Sequence, residues 1–233
     1  MWGFRRNKEL GPALGFDSIP AIWIGGCLFV IAVLLAGYLT PDYSHAHQSI
    51  SELGTPRAPY GWLVRWAGFV PLGLSFVLFS CQSGGLFSNH IPSVLFILTG
   101  LAVLFAGIFP TDPDNRRDTG SGKIHASAVI ALLLLLGVAP FTFSISALYR
   151  NPPAGWFLVF SFLMGMLVLI FLVLSSNGVY RRLVSLFQRI SGRFEKCSFL
   201  MPGLHQRLLL SLHYIWWFVF SQVLADVYQL LSS

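Results

Sequence analysis

A chain of 233 residues that is 55% hydrophobic and only 10% charged is too apolar for a water-covered globular surface, where roughly a quarter of residues carry charge. The mean hydropathy of +0.70 excludes an ordinary soluble enzyme, and equally a disordered chain, which needs low hydrophobicity and high net charge. The net charge of +6 is read as basic loops beside anionic lipid, with no nucleic acid as partner.

In chain order the pattern is that of an all-α, polytopic membrane protein. A hydrocarbon core of about 30 Å needs about 20 apolar residues in a helix. Stretches at approximately 19–39, 63–80, 91–109, 125–148, 155–175 and 208–224 meet that length, which predicts a single membrane domain built as a six-transmembrane-helix bundle. Arg65 is the one formal charge inside them, close to an end, and Asp226 follows the last. Between the fifth and sixth, Val179, Leu183, Leu186, Phe187, Ile190 and Phe194 recur at helical steps with Arg181, Arg182, Arg189 and Arg193 interleaved. That spacing predicts an interfacial amphipathic helix over 179–196, its arginines snorkelling to the headgroups.

With six spans, the long polar loops after the first, third and fifth share one face of the membrane. That face carries 11 of the 15 Lys and Arg residues, which places it in the cytoplasm by the positive-inside rule. Arg5, Arg6 and Lys8 precede the first span and argue the reverse. Cys27, Cys81 and Cys197 have no short spacing, and the first two lie in apolar runs, so they read as small buried hydrophobes. Trp62, Trp66, Trp156, Trp216 and Trp217 fall mostly near span ends and read as interfacial anchors. Gly100 and Gly107 share a helix face, as for close helix packing. Pro110 and Pro113 terminate the third span, and Gly120 and Gly122 allow a sharp turn back to His125.

The chemistry-bearing residues concentrate on the long-loop face in three segments. The first runs from His45 through His47 and Ser49 to Ser51, Glu52 and Gly54. The second holds Asp112 and Asp114 and ends on His125 at the mouth of the fourth span. The third is Gly203-Leu204-His205-Gln206-Arg207, leading to His213 inside the sixth. His45, His47, Asp112, Asp114 and His125 are ligand types suited to a divalent metal, although His-x-His on a loop lacks the spacing of a helical zinc motif. Ser49 or Ser51 could be a nucleophile, with His125 or His47 as base and Asp112 or Asp114 orienting the imidazole. No Gly-x-Ser-x-Gly elbow accompanies them, and Ser51 and Glu52 equally suit a helix cap and a first-turn anion. Gln206 and His213, seven residues apart, suggest a polar seam in the last helix. A histidine in a membrane is a functional candidate by default, and a neutral imidazole bonded to a carbonyl is the alternative.

Ser51-Glu52-Leu53-Gly54, Phe109-Pro110-Thr111-Asp112 with His125, and Gly203-Leu204-His205-Gln206-Arg207, in that order and at those loops, resemble the prokaryotic six-helix membrane family catalogued as a domain of unknown function (DUF998-like). The resemblance implies a six-helix bundle with a shared site built from these segments, in a bacterial inner (plasma) membrane, and it brings no reaction with it. More remotely, the layout is similar to eukaryotic Frag/DRAM/Sfk-type and AIG-type membrane families, which are linked to lipid-anchor remodelling, autophagy modulation and fatty-ester hydrolysis.

The leading expectation is a protein that acts on or binds a membrane lipid. Ser51, Glu52, Asp112 and His125 would be its acid–base or metal-assisted hydrolytic groups. Gln206, Arg207 and His213 would be ligand-binding residues, with Arg207 on an anionic headgroup, and His45 and His47 would be metal ligands. The competing expectation is a non-enzymatic scaffold, lipid-binding protein or complex subunit, in which the same residues tie the loops into a rigid cap and Arg207 pairs with Glu52 or Asp112. A small-molecule transporter comes third, since broken helices in matching halves and a buried carboxylate chain are missing from the sequence.

Overall fold

The structure is a computed structural model and describes residues 18–83, 90–113, 118–147, 155–175 and 202–232. Among these residues the chain is helical, with no strand. The helices are α1 (Ser18–Leu39), the short α2 (Ile50–Leu53), α3 (Val70–Ser83) entered through a π-helical segment (Leu63–Phe69), α4 (Ile91–Ile108), α5 (Gly120–Ala147), α6 (Gly155–Ser175) and α7 (Pro202–Ser232). Five are long and apolar enough to cross a membrane: Ile22–Leu39, Leu63–Cys81, Ile91–Ile108, Gly120–Phe143 and Gly155–Leu172. The chain is therefore a multi-pass integral membrane protein. The expected interfacial helix at 179–196, together with Asp114 and Cys197, lies outside the described residues.

Lipid is as apolar as a leucine side chain, so helices in a bilayer associate through close packing and hydrogen bonds rather than hydrophobic burial. The α3–α4 contact shows this. A Cβ at Gly100 would sit 2.7 Å from the Gly73 carbonyl oxygen, and one at Gly107 would sit 2.8 Å from Phe69 Cβ. Gly100 and Gly107 thus serve the close packing their spacing predicts.

The last helix is the hub. Trp217 of α7 meets Phe76 of α3 at 5.3 Å and Phe96 of α4 at 4.7 Å between ring centroids. Trp216 meets Phe143 of α5 at 5.3 Å and donates its indole N–H to Ser161 Oγ of α6 at 3.0 Å. Phe218 meets Trp23 of α1 at 5.9 Å, and Tyr214 O–H reaches the Gly26 carbonyl at 3.4 Å. α7 therefore touches all five apolar helices, while Leu204, Leu208, Ile215 and Phe218 line its exposed outer face. This corrects the reading of Trp216 and Trp217 as interfacial anchors, because both are buried in the aromatic core, whereas Trp62, Trp66 and Trp156 do face outward. Cys27 and Cys81 are likewise exposed on the outer surface rather than buried.

Three helix starts differ from expectation. The helix of the second span opens in the π-helical form, with the Val70 N–H bonded back to the Arg65 carbonyl. The signal is Pro71, which has no N–H and crowds the carbonyl four residues earlier. α5 begins at Gly120, so Gly120 and Gly122 lie in its first turn instead of forming a bend before His125. α7 begins at Pro202, so Gln206 and Arg207 are helical.

Candidate functional site

Ser49 caps the single turn of α2, its Oγ accepting from the Glu52 N–H at 3.2 Å, while the Glu52 carboxylate accepts from the same hydroxyl at 3.2 Å. This turn carries Ser51 inward. His125, in the second turn of α5, approaches it from the other side, and its Nε2 lies 3.1 Å from Ser51 Oγ. Its Nδ1 faces two carbonyl oxygens at the end of α4, those of Ala106 and Phe109, each at 2.9 Å. Only an Nδ1–H can satisfy them. The tautomer is thereby set, and Nε2 becomes the acceptor for the Ser51 hydroxyl. Ser51 is 7% and His125 4% exposed, so the pair is closed to bulk water.

Asp112 does not orient His125. Its carboxylate accepts the backbone N–H groups of Asp118 and Thr119 at 2.8 and 2.9 Å and the Thr119 hydroxyl at 2.6 Å. The Thr119 Oγ in turn accepts the Gly122 N–H at 3.0 Å, as an N-cap does. The Thr119 hydroxyl above all, with these backbone N–H groups, holds the Asp112 carboxyl below its ordinary range. A Cβ at Gly122 would collide with that carboxylate, which explains a glycine in a helical first turn. Asp112 anchors the start of the helix that carries His125, and acts on it only through that helix.

The first turns of α7 clamp the opening loop. Gln206 Oε1 accepts the Ile50 N–H at 2.8 Å, and the Leu204 N–H donates to the Ala46 carbonyl at 2.9 Å. Arg207 Nη1 donates to the carbonyls of His45, Gln48 and Gly203 at 2.6, 3.2 and 3.0 Å. Its Nη2 donates to Tyr43 Oη at 2.8 Å and to His45 Nδ1 at 3.0 Å. Burial, assisted by the neighbouring Arg207 charge, lowers the pKa of His45, and burial raises that of Tyr43. Gly203 is required here because a Cβ would strike the carbonyl oxygens of Gln48 and His45.

Residues 23–223 match the family described as "Protein of unknown function (DUF998)". The chain belongs to that family. No curated protein and no solved structure matches it.

The three segments that carry the DUF998 resemblance thus meet at one end of the bundle, where Ser51 joins His125 and Gln206 and Arg207 join the loop from Tyr43 to Ile50. His213 stands apart, deeper in α7, with Nδ1 2.9 Å from the Leu209 carbonyl and Nε2 2.8 Å from that of Leu136. His45 and His47 diverge: His45 is half-buried with Nδ1 against a guanidinium, and His47 is exposed. Among the described residues no three His, Cys, Asp or Glu side chains gather as a metal site would require. Tyr43 and Thr119 were missed in the sequence. Thr119 had a visible signal, a cap-type residue before a helix, obscured by the glycines after it; Tyr43 had none, because its partner lies 164 residues away.

Proposed function

We propose that this DUF998 protein is a membrane-embedded serine hydrolase that cleaves an acyl ester of a lipid, with Ser51 as nucleophile and His125 as general base. The hydrogen bond between Ser51 Oγ and His125 Nε2, with the opposite nitrogen fixed by two backbone carbonyls, carries the reading. As Ser51 Oγ attacks the ester carbonyl, its proton passes to Nε2. Collapse of the tetrahedral species expels the alcohol, which takes that proton, and water attacking the acyl-serine with His125 again as base releases the fatty acid. The carbonyls of Ala106 and Phe109 do the orienting that a carboxylate does in a triad. Burial beneath the opening loop at the helix ends suits a substrate delivered from the bilayer rather than from water.

In the same reading α7 is the sixth span. A helix that packs against five apolar helices and turns Leu208, Ile215 and Phe218 outward follows them across the bilayer, and Arg207 at its start is held at the loop end of the bundle. The resemblance to prokaryotic proteins suggests a bacterial inner membrane.

The test is turnover. In lipid nanodiscs the protein should release fatty acid from a phospholipid, and Ser51→Ala and His125→Ala should abolish release while thermal unfolding shows a folded bundle. Release unchanged in either variant, or none from the wild type, excludes the reading. A second reading, a non-enzymatic lipid-binding scaffold or subunit, is favoured by Arg207, whose terminal nitrogens are all engaged within the protein. It requires that the two variants lose stability and that no lipid is ever consumed.

A further inference from the structure

Arg65 is the one formal charge in the apolar stretch Leu63–Cys81, and it stands in the π-helical segment. Only two residues from the start of the stretch, it reaches the headgroup level, where lipid phosphates are the abundant anions. π-helical turns also recur at functional positions. Its Nε is enclosed and has no hydrogen-bond partner among the described residues. The side chain runs beside Gly54, the residue that caps the turn carrying Ser51. A Cβ built on Gly54 would lie 3.5 Å from the Ser51 carbonyl oxygen and 3.6 Å from Arg65 Cγ. On the other side the Arg65 carbonyl sits 3.3 Å from the Cβ position of Gly107, next to Ala106, whose carbonyl fixes His125. The π-helical turn therefore packs between the turn that carries Ser51 and the end of α4 that fixes His125, which sets Arg65 next to both elements that hold the pair.

Arg207 could not play the same part, since its Nη groups already donate to carbonyls, Tyr43 and His45. A guanidinium with an unused donor is a fork for phosphate oxygens. We propose that Arg65 binds the phosphate of a phospholipid and so presents the neighbouring acyl ester to Ser51, which makes glycerophospholipids the substrate class. This rests on the hydrolase reading, in which the turn that Gly54 caps carries the nucleophile Ser51 and packs against Arg65.

Binding is measured on the full chain in detergent, by thermal shift, in a Ser51→Ala background that prevents turnover. The probes are dihexanoyl phosphatidylcholine, dihexanoylglycerol with the same esters and no phosphate, and inorganic phosphate. The phospholipid should bind about tenfold more tightly than dihexanoylglycerol. Arg65→Gln should erase that preference, and Arg65→Lys, which keeps the charge without the fork, should retain part of it. If Arg65→Gln does not fold, the Lys variant carries the comparison. Equal affinity for the two lipids, or a preference that survives in Arg65→Gln (in Arg65→Lys undiminished, where only that variant folds), overturns the proposal. A shift produced as strongly by inorganic phosphate alone assigns the site to free phosphate and overturns the lipid assignment. Binding is read without turnover, so the preference can stand when hydrolysis fails, and the failures of the two proposals are distinguishable.

Discussion

The Nε2 of His213 lies 2.8 Å from the carbonyl oxygen of Leu136, the acceptor that Pro140, four residues on, leaves without its helical N–H. Proline inside a helix frees the carbonyl one turn back, and in a bilayer no water can satisfy it, so a neighbouring helix must. His213 in its Nε2–H form does so and joins α7 to α5. Deleting the donor should cost about 1–3 kcal/mol, the range for leaving a buried polar group unpaired. His213→Ala should show that loss in the wild type. In Pro140→Ala, where the backbone N–H returns, it should lose distinctly less. A double-mutant cycle on unfolding in mixed micelles measures the difference, and strict additivity would contradict the link.

Asp112 should matter to stability and not directly to chemistry. Asp112→Asn should lower the melting temperature near neutral pH and leave Ser51 reactive. Because its folded pKa lies below the ordinary value of 3.8, its stabilisation is complete above that value and fades as pH falls from there through the folded pKa. The melting difference between wild type and Asp112→Asn should therefore shrink on acidification in that range, as followed by fluorescence.

The clamp on the opening loop should respond at a higher pH. His45 is held neutral in the folded protein, with its pKa lowered from 6.5 by burial and by Arg207. Stability from this group is complete above 6.5 and falls as pH drops from there through the lower folded value. Replacement by Gln, which keeps an acceptor for Arg207 and does not titrate, should flatten that step. Gly203→Ala should open the clamp at any pH, because the loop carbonyls occupy the space of the new methyl. Protease accessibility of residues near Gln48 reports it.

What the sequence made legible was periodicity and placement. Apolar stretches located α1, α4 and α6 to within a few residues, and the motifs after the first and third spans and at the start of α7 meet at one end of the bundle. Hydrogen bonds between distant segments carry no local signal. Asp112 looked like a partner for His125 because both lie on one loop, yet its carboxylate turns to the N–H groups at the start of α5. Arg207 looked free for a headgroup, yet carbonyls 159 and 162 residues away claim it. Trp216 and Trp217 looked interfacial because tryptophan favours span ends, and only the enclosing helices reveal them as core.

The pairing of Ser51 with His125 is tested most directly by a fluorophosphonate probe on protein in native membranes, followed by peptide mass spectrometry. A covalent phosphonyl adduct should form on Ser51, be lost in His125→Ala, and persist in Asp112→Asn. A folded protein that takes no label at Ser51, or labels equally without His125, would contradict the account.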